Sequence, residues 1–169
     1  STHYYAKNHN GTGTAANKGY EMLGSNASQI INWVRGNTSS YTTIFVKIGN
    51  YQLDSPIIIN KHGIQLVGES IGDSTGNGVF FNVTGSSAIS LEMPSTGIWY
   101  LENVRISNIA FKGWGNGDGI TTENIPDTNN ATWCLEIDHC YFKGFVGATI
   151  HAVEIKNFEF LYIHDNSFL

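Results

Sequence analysis

Two acid–imidazole pairs stand out in this chain: Asp138 beside His139, and His164 beside Asp165. Carboxylates and imidazoles are ligands for divalent metals, so Asp138, His139, His164 and Asp165 form one candidate metal set. Parallel strands in register would bring Asp138 to His164 and His139 to Asp165. Arg105, Glu136 and Tyr162 form a second group, a strip that could hold a sugar by planar polar contacts and by stacking on the ring. Its plainer reading is a solvated ladder with Arg105 over Glu136. Asp118 lies in GNGDG, which reads as a loop and lacks the Lys-Ser/Thr of a phosphate-binding loop.

The elements that would position these residues are written into a repeat. Residues 103–113 read NVRISNIAFKG and residues 134–144 read CLEIDHCYFKG. Val104 matches Leu135, Ile106 matches Ile137, and Phe111 matches Phe142. The ending FLYIHDNSFL supplies Leu161, Ile163 and Phe168 at the same places. Each unit is strand, turn, strand, and a repeat of this length implies stacked units that share one apolar core. Equivalent strands then pair in parallel about 4.8 Å apart. Asn108, His139 and Asp165 fall where the strand must bend, a place that favours left-handed backbone. Cys140 replaces Ile109 in the interior, which predicts a buried thiol. Cys134 should face outward, too poorly aligned with Cys140 for a disulfide. Trp99, Trp114 and Trp133 sit at the edges of units and read as packing under loops, with sugar stacking as the alternative.

The 169 residues suffice for one domain. Charged residues make up 14% and the net charge is −5, with no basic run, which argues against nucleic acid as a partner. No stretch is long and apolar enough for membrane insertion. Five sequons, at Asn10, Asn26, Asn37, Asn82 and Asn130, are candidate glycosylation sites and point to an extracellular or cell-surface chain. Residues 1–24 read as an irregular arm with room for one short strand. SNASQIINWVRGN reads as a short helix over 25–36, with Ser25 or Asn26 as its cap. From Tyr41 onward the apolar period is two, with Ile44, Val46 and Ile48 on one side of the first strand.

SNASQIINWVRG, followed by TIFVKIGNYQLDSPIIINKHGIQLVGE and the repeated ISNIAFKG and IDHCYFKG, resembles the pectate-lyase-like superfamily. The resemblance covers most of the chain at the level of pattern. It implies an all-β fold: a right-handed parallel β-helix of about five coils over residues 25–169, closed at its first coil by the helix. No comparable closure follows Phe168, so the β-helix is expected to be incomplete there or to self-associate through its C-terminal coil. Lyases of this family hold calcium with clustered carboxylates and use an Arg as base. Arg35 falls in the helix, which leaves Arg105 for that role, without a dense Asp cluster around it. Arg105, Asp118 and Asp138 are candidates for catalysis only through this resemblance. The leading functional expectation is a scaffold or recognition module for polysaccharide with no required cofactor. A polysaccharide lyase or glycoside hydrolase and a self-assembling surface protein are the alternatives.

Overall fold

A computed structural model describes residues 3–8, 21–24, 27–37, 40–72, 77–93, 101–115, 117–123 and 133–169. The molecule is mostly β, and every strand pair in the described residues is parallel. The first sheet holds β1 (His3–Asn8), β2 (Glu21–Gly24), β3 (Thr43–Val46), β6 (Gln65–Gly68), β9 (Glu102–Ser107), β12 (Trp133–Asp138) and β15 (Leu161–His164). The second holds β4 (Gly49–Leu53), β7 (Val79–Val83), β10 (Ala110–Gly113), β13 (Tyr141–Lys143) and β16 (Ser167–Phe168). The third holds β5 (Ile57–Ile59), β8 (Ser87–Glu92), β11 (Asp118–Glu123) and β14 (Val153–Glu154). From β3 onward the chain visits the three sheets in fixed rotation, and each circuit lays its strands beside those of the one before.

The repeat sets that register. Val104, Leu135 and Leu161 pair across β9, β12 and β15, as do Ile106, Ile137 and Ile163. On the second sheet, Tyr51, Phe81, Phe111, Phe142 and Phe168 form one column. Tyr51–Phe81 and Phe81–Phe111 meet edge to face, with centroids 5.8 and 5.7 Å apart. Phe111, Phe142 and Phe168 instead lie nearly parallel, at 4.9 and 5.0 Å. Each buried ring contributes about 1.5–3 kcal/mol by burial, and each aromatic pair adds a smaller increment. Leu161, Ile163 and Phe168, the last members of these columns, are exposed.

Bends fall in columns as well. Asn108, His139 and Asp165 all adopt left-handed backbone, with φ of 57°, 50° and 54°. A second left-handed column lies just before β3 and β6, at Tyr41 and Gly63, and at the second residue of β9 and β12, Asn103 and Cys134. Cys140 is fully buried, burial pushes its thiol up to about 12, and both cysteines are free.

The helix of the described residues, α1 (Ala27–Asn37), packs on β5. Asn32 fixes the contact: its Nδ2 donates to Pro56 O, and its Oδ1 accepts from Ile58 N, both at 2.8 Å. Lys61 Nζ donates to Arg35 O at 2.8 Å, satisfying a carbonyl at the helix C-terminus. Ile31 joins the apolar core. The expected cap, Ser25 or Asn26, lies outside the described residues. Two expectations need correction. The segment before residue 25 carries two strands, and β1 pairs with β3 as part of the first sheet. Ile48 is exposed rather than inward, since the chain turns between β3 and β4 there and the alternation breaks.

Candidate functional site

The outward face of the first sheet gathers most of the candidates. Register puts Thr43, Gln65, Arg105, Glu136 and Tyr162 in one outward column. The neighbouring column runs Phe45, Val67, Ser107, Asp138 and His164. Strands beside one another hold these residues about 4.8 Å apart, so each column is a straight strip about 19 Å long.

Asp138 is the centre of this face. Alternation points it away from the apolar core, yet its side chain is 0% exposed. Arg105 reaches diagonally to it as a fork: Nε donates to Oδ1 at 2.8 Å and Nη2 to Oδ2 at 2.7 Å. Ser107 Oγ donates to Oδ2 at 3.1 Å, and His139 Nδ1 lies 2.7 Å from the same oxygen. Burial alone would raise the Asp138 pKa. The hydrogen bonds from Arg105, His139 and Ser107, with the guanidinium charge, outweigh burial and bring it to about 2. The same bonds raise the Arg105 pKa. Arg105 Nε also lies 3.5 Å from Glu136 Oε2.

His164 continues the network with its own partners. Its Nδ1 is 2.8 Å from Asp165 Oδ2 and its Nε2 is 3.2 Å from Glu136 Oε1. Asp165 first and Glu136 second raise the His164 pKa, since both favour the imidazolium. Each imidazole therefore pairs with the Asp next to it in sequence, and the His139 and His164 rings stand 6.5 Å apart, edge to face. Asp138, His139, His164 and Asp165 do not converge on a common point. Asn166 fastens the bend behind them: Oδ1 accepts from Cys140 N and Nδ2 donates to Ile137 O, both at 2.8 Å.

Asp118 starts β11 instead of lying in a loop, and its Oδ1 accepts from His151 N at 2.6 Å. His151 Nδ1 is 3.4 Å from that oxygen and 3.8 Å from Glu154 Oε2. The ligand atoms of Asp118, His151 and Glu154 lie within 4.8 Å of one another, the one grouping of metal-ligand type that close among the described residues. Lys156 Nζ pairs with Glu154 Oε1 at 2.9 Å and balances part of its charge. Sequence reasoning missed His151 and Glu154 because no repeated phrase marks the third sheet. The register Asp118–Ser87 and Thr121–Glu154 would have been the signal.

Trp114 is 67% exposed, not packed under a loop. Trp99 lies outside the described residues, as does the Trp133 side chain. Among the sequons, Asn37 is exposed at the end of α1 and Asn82 is half-buried in β7. Asn10, Asn26 and Asn130 lie outside the described residues. No helix in the described residues is long and apolar enough to cross a membrane. No protein-family model matches the chain, and neither the curated proteins nor the solved structures contain a significant match.

Proposed function

We propose that this chain is a right-handed parallel β-helix whose outward first-sheet face recognises polysaccharide at the cell surface or outside the cell. The rotation of strands through three parallel sheets supports the β-helix, and right-handed crossovers are the strong rule for parallel strands. In this reading α1 covers the first coil.

The observation that carries the recognition reading is the column Gln65–Arg105–Glu136–Tyr162. It offers an amide, a guanidinium and a carboxylate in line with an exposed ring, on a rigid ladder. Planar polar side chains beside an aromatic face suit a run of hydroxyls and sugar rings. The Arg105–Asp138 fork holds the strip in shape before any ligand arrives, which lowers the ordering cost of binding.

The same fork weighs against catalysis. A base must give up its proton, and Arg105 is held more firmly protonated than usual. Asp138 has no exposed side-chain surface with which to meet a substrate.

Glycan-array binding by the purified chain tests the proposal. Tyr162→Ala should weaken the best-binding glycan about tenfold, the loss of a stacking contact of roughly 1 kcal/mol or more. A wild-type chain that binds no glycan would sink the recognition reading. Calcium-dependent release of unsaturated sugars from a uronate polymer would move the assignment to a lyase.

A further inference from the structure

A second surface lies one sheet away. Lys112 on β10 and Lys143 on β13 are direct register partners, so two ammonium-bearing side chains rise side by side. Like charges placed directly opposite on neighbouring strands oppose the fold. The arrangement is notable in a chain of net charge −5. Among the described residues neither lysine forms an ion pair. Lys112 Nζ is held 3.8 Å from the centroid of the buried Phe80 ring, which fixes its position without neutralising it. Lys143 is exposed.

Between the lysines and Trp114 is an open cleft of about 300 Å³ lined by Lys112, Gly113, Trp114, Lys143 and Gly144. Its floor is glycine for a steric reason. Gly144 has φ of 77°, and a Cβ there would sit 2.4 Å from Gly113 O. The floor therefore stays bare among the side chains of Lys112, Trp114 and Lys143.

We propose that this cleft binds a sugar ring carrying one anionic group, with the ring on the Trp114 face and the anion between Lys112 and Lys143. The inference rests on the glycan-recognition reading and adds a charge-selective subsite to it. An indole face takes the apolar side of a pyranose, and two neighbouring ammoniums meet the oxygens of a single carboxylate or sulfate. Both groups present the same chemistry to the lysines.

The test is calorimetric titration with three probes of equal length: cellohexaose (neutral), an alginate hexasaccharide (carboxylated) and a carrageenan hexasaccharide (sulfated). Wild type should bind at least one anionic probe about ten- to a hundredfold more tightly than the neutral one, with the advantage shrinking as salt is raised. Which anionic probe gains identifies the group. Lys143→Gln should abolish that advantage and leave cellohexaose binding unchanged. Trp114→Ala should weaken the tightest anionic probe about tenfold in the same titration, the loss of a stacking contact. Both positions are exposed, so thermal unfolding should match wild type and exclude misfolding as the cause. If cellohexaose binds and the anionic probes bind no more tightly, the inference fails while the recognition reading stands. If Lys143→Gln keeps the full anionic advantage, the inference fails likewise. If no probe binds the wild type, both fail.

Discussion

The Asp138 cluster and the Asp118–His151–Glu154 cluster use the same residue types on two faces of one molecule, and they behave differently. Around Asp138 each carboxylate oxygen is engaged, the side chain is sealed from water, and Arg105 closes over it as a fork. Around His151 the imidazole contacts are longer, at 3.4 and 3.8 Å, and all three side chains reach solvent. Geometry and burial, not composition, decide which cluster contributes to stability. Exposed pairs are screened and hydrated, whereas a buried carboxylate depends on its partners.

Removing a partner from the sealed cluster should have the largest effect. Arg105→Met leaves a buried charge short of its main donor. Urea denaturation should show a loss of about 3 kcal/mol, at the low end for broken buried pairs because Arg105 itself is 39% exposed and water can enter its place. A loss below the error of the measurement would mean that the fork is no tighter than a surface pair.

Asp138→Asn keeps the shape and removes the charge, for an expected loss of about 2 kcal/mol near neutral pH. The sign of its pH dependence is fixed by the depressed folded value of about 2 against an unfolded value near 3.9. The contribution is full above about pH 4 and disappears as pH falls towards 2. Wild type and Asp138→Asn should therefore converge in stability on acidification. Parallel curves down to pH 2 would contradict the assignment.

On the open cluster, Glu154→Gln should leave the denaturation midpoint where it is, in low or high salt. A clear loss at low salt would show that this face too is a stabilising network, and the contrast would collapse. His164 lies between the two extremes. Its pKa is raised, so its imidazolium contribution is complete below the unfolded value of about 6.5 and is lost as pH rises through the folded value. An NMR titration should place His164 above the ordinary histidine value of about 6.5.

The interior was legible in the sequence because its columns repeat. Val104, Leu135 and Leu161 could be aligned by eye, and so could the bends at Asn108, His139 and Asp165. Alternation also placed Arg105 and Asp138 on the outside correctly. It could not show that Asp138 is sealed there, because the covering group arrives diagonally from the preceding circuit and from a left-handed neighbour that folds its ring back. Alternation likewise failed at Ile48, where a turn interrupts the strand. Trp114 escaped for another reason. Exposure of a large aromatic depends on what stands beside it, and its neighbours Gly113 and Gly144 have no side chains to cover it.

The left-handed column at Tyr41, Gly63, Asn103 and Cys134 bears on how such a chain tolerates insertion. The stretch from Gly63 to Asn103 is longer than that from Tyr41 to Gly63, yet both return to the same column. Extra residues outside the strands change loop-closure entropy only slowly with length. Between Gly147 and Thr149, in the exposed turn that joins β13 to β14, a grafted peptide would leave the strand pairing intact. One residue added between Asn103 and Asn108 would turn Val104, Arg105 and Ile106 inside out. The same surface is thus permissive to grafts at its corners and intolerant of a single insertion along its strands.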